Sequence, residues 1–373
     1  MDKKQKVLHI VGHPAGGIRK HIHDVLLNLH SGFEFFYITS GCGDKNFDKE
    51  LPDLIKSGVI HQSLKITKKP SFGDVLNVVK VFMFLRKHKI DIVHGHGAKG
   101  GLYARLAGKF AGCRVVYTPH GGGVHNMFGR FESIIYKFIE KSLCIFTDAL
   151  IFESNYTKNA FENKFSCKST KNYVNHNGLD VDETTISTWI TSKKDPKETH
   201  IGVFGIIRKE KGQHLAFNAV LELINQGENI YLHFFGDGPM KPELEDRAKS
   251  SKASNNVIFH GETEHVYSKI MEVDFVLIPS LFESFGYVAL EAILLRKPLI
   301  CSNVGGLKEV VDPSSSFVFD PAIFGDLVNQ IKLAINSNQN LLNSFVEQAN
   351  KRALNLFSLN QMLNSLRSIY NSL

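Results

Sequence analysis

Short runs of β-branched and aromatic residues end in glycine or polar turns along this chain, and they alternate with longer stretches of helical period. KVLHIVG, FEFFYITSG, IDIVHGHG, RVVYTPHG and DALIFES form a first series; IGVFG, YLHFFGDG, NVIFHG, DFVLIPS, KPLICS and SFVFD form a second. Strand alternating with helix predicts parallel sheets of the doubly wound kind. Between the series lies a polar stretch with a proline, TSKKDPKETH, residues 191–200. The restart of the pattern there predicts a boundary near residues 183–198 and two α/β, Rossmann-like domains, 1–185 and 186–373, facing across a cleft. In the last segment, Leu356, Leu359, Leu363, Leu366 and Tyr370 recur at steps of three and four, one face of a helix. That helix is expected to face a core and to pack back on the first domain. There is no heptad pattern, solenoid period or low-complexity tract.

Length agrees with this division, because 373 residues exceed one ordinary core and suit two. With 43% hydrophobic and 22% charged residues the composition is that of a folded globular chain. Only Val7–Val11 follow the basic N-terminus before Gly12, too short a run for a secretory h-region, so it reads as a strand. Lys80 and Arg86 break the best candidate for a membrane span, VLNVVKVFMFL, and no spanning helix is expected. Cys42, Cys113, Cys144, Cys167 and Cys301 are widely spaced, odd in number and free of CxxC pairs. They read as reduced thiols of a cytoplasmic protein.

Charge is unevenly spread. Residues 1–185 carry 26 Lys/Arg against 17 Asp/Glu, and residues 186–373 carry 18 against 20. A basic first half suits nucleic acid, an anionic membrane surface, a phosphorylated substrate or simply a solvated basic face.

Doubly wound sheets bind ligands at the carboxyl ends of their strands, so the chemistry is expected in the loops that follow strands. After DFVLIPS comes LFESFGYVALEA, residues 281–292. It reads as a loop holding Glu283, a helix capped by Ser284, and Glu291 seven residues beyond the cap, a rise of roughly 10 Å. Free N–H groups at such a helix start favour phosphate. Carboxylate, anion site and second carboxylate in line fit a nucleotide sugar, with Glu283 at the sugar and Glu291 on the ribose; a plain amphipathic helix has the same spacing.

The loop of VFGIIRKEKGQH, residues 203–214, offers Arg208 and Lys211 to phosphate oxygens, although neither the GxxxxGK[ST] nor the GxGxxG pattern is present. After the first strand, Gly16 and Gly17 open a helix and allow close approach of an anion, or serve a tight turn. In VYTPHGGGVH, residues 116–125, His120 is placed to touch a sugar or to sit satisfied under a glycine loop. His94 and His96, with Asp91 the only local acid and no cysteine nearby, form no expected metal site.

Taken together and in order, these segments resemble the retaining, GT-B-fold nucleotide-sugar glycosyltransferases of the glycogen synthase and phosphatidylinositol mannosyltransferase type, which bacteria use for surface polysaccharides. The resemblance spans about residues 5–320: GGIRKHIHDV, DIVHGHGAKGGLYARLAG, VYTPHG, FESNYTKN, NHNGLD, the KG loop, FGDGP, FHGET, ESFGYVALEA and SNVGGLKEVV. No one segment is decisive; their collinear order is specific.

The resemblance implies that Glu283 contacts the donor sugar, Glu291 holds the ribose, and backbone groups of Ser284, Phe285 and Gly286 touch sugar and phosphate. It implies that Arg208 and Lys211 bind the diphosphate, Gly16 and Gly17 close over it, His120 sits near the sugar, and Thr263 lies on the segment that holds the nucleobase. Where the family has Gly-Arg-Leu before its KG, this chain has Ile206 at the arginine position and Arg208 two residues on. The implied reaction is retaining transfer from a UDP- or GDP-sugar to a lipid-diphosphate-linked or other glycan acceptor. It needs no metal and no nucleic acid, and is expected in O-antigen, capsule or exopolysaccharide synthesis. The first domain is expected to take the acceptor and the second the donor. KVFMFLRKHK, residues 80–89, mixes apolar and basic residues as a helix lying on an anionic membrane would. Sugar-nucleotide epimerases, phosphorylases and non-catalytic sugar-nucleotide binders are the competing readings of this fold.

Overall fold

The computed structural model describes residues 4–67, 69–121, 130–165, 167, 170–181 and 197–373, with side chains in the helix that starts at residue 130 described from residue 134. The chain divides into two compact units, Met1–Gly178 with Leu359–Leu373, and Leu179–Ser358. Most of the boundary region expected from sequence, residues 182–196, lies outside the described residues.

The first unit is built on a parallel sheet of β1 (Gln5–Val11), β2 (Phe33–Thr39), β3 (Ile60–Ser63), β4 (Ile92–His96), β5 (Arg114–Thr118), β6 (Ala149–Phe152) and β7 (Lys171–Val174). The spatial order is β3-β2-β1-β4-β5-β6-β7. β1 is buried on both faces. Val7 and Val11 pack with Ile22, Val25 and Leu26 of the helix Gly16–Asn28 and with Leu363, Leu366 and Tyr370 of the helix Leu359–Asn371. Leu8 and Ile10 point the other way, toward the helices Gly73–His88 and Gly97–Ala111. The second of these helices lies tight on the sheet because it is glycine-rich there: a Cβ at Gly100 would stand 2.2 Å from the Ile10 carbonyl oxygen.

The second unit repeats the plan with β8 (Thr199–Phe204), β9 (Ile230–Phe235), β10 (Val257–Gly261), β11 (Phe275–Ile278), β12 (Leu299–Ser302) and β13 (Phe317–Phe319). The order is β10-β9-β8-β11-β12-β13, again parallel. In each sheet the strand order reverses once, between β1 and β4 and between β8 and β11. Open α/β sheets bind ligands at such switch points, outside the carboxyl ends of the strands.

Three expectations change. The last apolar face begins at Leu359: the helix Gln339–Leu356 ends before it, the break at Phe357 and Ser358 resets the phase, and Leu356 is 49% exposed. The cysteines are not all free, since Cys144 and Cys167 are joined in a disulfide with their Cα atoms 5.8 Å apart, while Cys42, Cys113 and Cys301 are free. The edge strands β3 and β7 stand where no apolar run was read, because IHQS is polar at three of its four positions, KNYV at two, and no residue of either is buried. Among the described residues no helix is long and apolar enough to cross a membrane.

Candidate active site

At the switch point of the second unit the loops after β8 and β11 are tied together. Leu281 N–H donates to the Glu210 carbonyl at 2.8 Å, and Lys211 Nζ lies 2.6 Å from Glu283 Oε2. Ser280, buried at the end of β11, donates its hydroxyl to the same carboxylate oxygen at 3.2 Å. A cation and a carboxylate from segments 72 residues apart therefore meet where the fold predicts a ligand.

Glycines make this convergence possible. Gly212 has φ +69, and a Cβ there would fall 1.8 Å from the Pro279 carbonyl oxygen. Gly305 has φ +52 and approaches the Glu283 carbonyl as closely as only a glycine can, with a would-be Cβ at 2.1 Å. Gly306 N–H donates to that carbonyl at 2.8 Å, so the loop after β12 supports Glu283 from behind. The segment SNVGG carried this signal in its paired glycines, and Ser280 carried none.

The helix expected from Ser284 starts later. It spans Tyr287–Leu294, its N-cap is Gly286 at φ +107, and no side chain caps it. Ser284, Phe285 and Gly286 therefore form a turn, not a first helical turn, and a Cβ at Gly286 would meet Leu307 Cδ2 at 2.5 Å. Glu291 is only four residues into the helix, a rise of about 6 Å from its first residue, which shortens the expected spacing. Its side chain is on the buried side, with the residue 8% exposed.

Arg208 precedes the short 3-10 turn Lys209–Lys211, with Nε 3.8 Å from Glu210. The loop around it is held by Gln213, whose side chain accepts from Arg208 N–H at 3.3 Å and donates to the Ile206 carbonyl at 2.9 Å. Ile206 itself is exposed. Thr263 follows β10 and accepts from His265 N–H at 3.2 Å.

At the switch point of the first unit, Gly16 begins the helix Gly16–Asn28 with φ +55. Its N–H donates to Asp44 Oδ2 at 2.8 Å, and Asp44 also pairs with Arg19, so a carboxylate of the chain itself stands at this helix start beside Gly16 and Gly17. His120 has φ +50, and both its ring nitrogens are engaged: Nδ1 is 2.9 Å from Glu153 Oε2 and Nε2 is 2.9 Å from His96 Nδ1. Burial alone would raise the Glu153 carboxyl, but His120 beside it holds it below the ordinary glutamate value.

Behind His120 lie His9, His94 and His96, all buried, with ligand-type nitrogens within 4.8 Å of one another. Burial, with His21 second, lowers His9 to about 3, and burial with neighbouring histidines puts His94 and His96 well below 6.5. His21 is lowered to about 4 by burial and then by His120. These rings are neutral near pH 7, as metal ligands would be, but their nitrogens are already matched to one another and to Tyr370, Thr118 and His120. Glu153 lies in the segment FESNYTKN but was given no role there, and Tyr370 read only as part of an apolar helix face.

Two parallel α/β units of this kind make the GT-B fold of glycosyltransferases. Solved structures superpose on the whole chain: Anabaena Alr3699/HepE in complex with UDP and glucose has a TM-score of 0.83 at 19% identity, covering 99% of this chain and 100% of that one. WaaG, a glycosyltransferase involved in lipopolysaccharide biosynthesis, has a TM-score of 0.74 at 16% identity, covering 97% and 99%. Residues 15–183 match Glycosyltransferase Family 4, and residues 189–352 match Glycosyl transferases group 1. The capsular polysaccharide biosynthesis glycosyltransferase CapM of Staphylococcus aureus is 24% identical over 317 residues, 81% of this chain and 82% of its own. The Escherichia coli UDP-Gal:alpha-D-GlcNAc-diphosphoundecaprenol alpha-1,3-galactosyltransferase is 23% identical over 311 residues, 80% and 79%. The chain belongs to the group 1 glycosyltransferases and is a transferase of EC class 2.4.

Proposed function

We propose that this enzyme moves a sugar from a nucleoside diphosphate sugar to a lipid-diphosphate-linked saccharide or other glycan acceptor in surface polysaccharide synthesis, with retention of anomeric configuration. The observation that carries the reading is the Lys211–Glu283 pair at the second unit's switch point. Lys211, with Arg208 beside it, takes the diphosphate and neutralises the leaving group, so that no metal is required; Glu283 exchanges its lysine for the donor sugar. Glu291 grips the ribose, the turn Ser284–Gly286 meets sugar and phosphate through its backbone, and Thr263 lies by the nucleobase. Gly16, Gly17 and His120 keep the donor contacts that the resemblance gives them, and the first unit takes the acceptor. The acceptor hydroxyl then attacks on the face the phosphate leaves, and positioning and electrostatics supply the rate.

The names of the relatives support capsule synthesis, from Staphylococcus aureus CapM, and a lipid-diphosphate-linked acceptor, from the Escherichia coli galactosyltransferase; a further Escherichia coli relative is named as an O-antigen biosynthesis glycosyltransferase. The surface of the first unit supports a location on the cytosolic face of the membrane. Helix Gly73–His88 buries Val81, Phe84 and Leu85 but turns Val75, Leu76, Val79 and Met83 outward, next to exposed Lys80, Arg86 and Lys87. Helix Arg130–Leu143 likewise leaves Ile134, Ile135 and Phe138 exposed. An outward apolar stripe edged with cations suits an anionic lipid surface.

A panel of UDP- and GDP-sugars tests the reading: one should stabilise the protein thermally and be hydrolysed or transferred, and NMR of the product reads the anomeric configuration. An epimerised nucleotide in place of a transferred sugar, or no response to any donor, would overturn it.

A further inference from the structure

Seven side chains of the first unit form one unbranched hydrogen-bonded series. In order, Thr118 Oγ1 lies 2.8 Å from His94 Nε2, His94 Nδ1 lies 2.7 Å from the Tyr370 hydroxyl, and that hydroxyl lies 3.3 Å from His9 Nε2. His9 Nδ1 then lies 2.9 Å from His96 Nε2, His96 Nδ1 2.9 Å from His120 Nε2, and His120 Nδ1 2.9 Å from Glu153 Oε2. Each ring nitrogen of the four histidines is used once. The series exists because β1, β4 and β5 put His9, His94, His96 and Thr118 on the same face of the sheet, in register His9 to His94 and His96 to Thr118. The final helix brings Tyr370 onto that face.

Counting protons removes all freedom from this series. A neutral imidazole has one donor and one acceptor, a tyrosine one O–H, and an ionised carboxylate only accepts. Glu153 therefore requires hydrogen on His120 Nδ1, which leaves His120 Nε2 to accept from His96 Nδ1–H. The same step repeats to His9 Nδ1–H, to the Tyr370 O–H and to His94 Nδ1–H, and the Thr118 hydroxyl supplies the last proton. We infer that the series has one donor direction, from Thr118 to Glu153, with all four histidines in the Nδ1–H form, and that Glu153 is a positioning residue for His120 in the transfer reaction. This rests on the reading of His120 as part of the sugar-transfer site.

The opposite direction needs one further proton. An imidazolium at His120 would donate from both nitrogens and force His96, His9 and His94 into the Nε2–H form, with Thr118 accepting. The burial that keeps His9, His94 and His96 neutral opposes such a state. Among the described residues, His21 also faces the series: it lies beside His96 and His120 with ring centroids at 5.9 and 5.6 Å, its Nδ1 has no partner, and it reaches Glu153 only through the Asn177 side chain, so it stands outside the donor order.

Histidine side-chain 15N–1H correlation spectra of the full-length protein at pH 8 test the direction. His9, His94, His96 and His120 should each show a proton on Nδ1; an Nε2–H or doubly protonated ring at any of them overturns the inference. In Tyr370→Phe the series is cut between His94 and His9. Only His94 should change, donating instead to Thr118, while His9, His96 and His120 stay ordered by Glu153; a change at those three, or none at His94, counts against it. In Glu153→Gln the four rings should lose their single assignment, and transfer kcat should fall about tenfold or more with donor KM little changed. Wild-type kcat with the assignment lost would overturn the positioning role. Four Nδ1–H rings in a protein that transfers no sugar would instead leave the series standing and refute the proposed function.

Discussion

Lys211 and Glu283 join the loops after β8 and β11 through charged side chains, Nζ to Oε2 at 2.6 Å, in side chains 28% and 15% exposed. Each group thus holds the other in place while leaving both within reach of a ligand. Glu283→Ala should lower transfer by about a hundredfold or more. Lys211→Ala should weaken donor binding as well, and the double variant should lose less than the sum of the two. The kinetic cycle checks this, and additive losses would separate the two roles.

Glu291 sits on the buried side of the helix Tyr287–Leu294, behind the turn that replaces its expected first residues. Glu291→Ala should raise donor KM about ten- to a hundredfold, the loss of a buried charged hydrogen-bonding group, and change kcat little. A kcat defect at unchanged KM would put Glu291 at the reacting sugar instead.

Gly212 is held at φ +69 with Pro279 closing on it. Gly212→Ala adds the cost of left-handed backbone, about 1–2 kcal/mol, to a collision with a carbonyl oxygen. Thermal melting should show the loss of stability, and donor binding should fall with it, because the shifted loop carries Lys211. Normal donor affinity in a folded Gly212→Ala protein would show that the loop tolerates the displacement.

Four buried histidines set the response to acid. His9 titrates near 3 and His21 near 4 in the folded chain, His94 and His96 lie well below 6.5, and all return to about 6.5 on unfolding. Below that value the unfolded state binds protons the native state refuses, so stability is full above about pH 6.5 and falls as the pH drops through that value toward 4. Urea midpoints measured from pH 8 to 5 should decline steadily in the acid half; a flat profile would mean these rings are not held neutral.

The apolar stripe of helix Gly73–His88 should bind anionic vesicles. Charge reversal at Arg86 and Lys87, or serine at Leu76 and Val79, should reduce co-sedimentation while leaving transfer to a soluble acceptor analogue intact. Unchanged partitioning would move the membrane contact elsewhere or remove it.

Eleven strands were legible as apolar runs, and the order of the switch-point loops followed from them. The edge strands β3 and β7 were not, because uncovered strands need no apolar run. The start of the helix at Tyr287 was hidden as well, since a serine three residues earlier is a good cap on paper, while the close approach of Leu307, first residue of the short helix Leu307–Val310, to the left-handed Gly286 is not local in sequence. Tyr370 read as one more residue of an apolar face. Its hydroxyl matters only through His9 and His94, which the chain places more than 270 residues away. Local pattern reports burial; it does not report which polar atom a buried side chain will find.

The return of Leu359–Asn371 to the first unit also orders events at the ribosome. Chains generally fold domain by domain from the N-terminus as they emerge. Here the first sheet waits for its covering helix until the second unit, Leu179–Ser358, has been made in full. Until then Val7, Val11 and the middle of the histidine series, between His94 and His9, lack the residues of that helix, and the domain begun first is the one finished last.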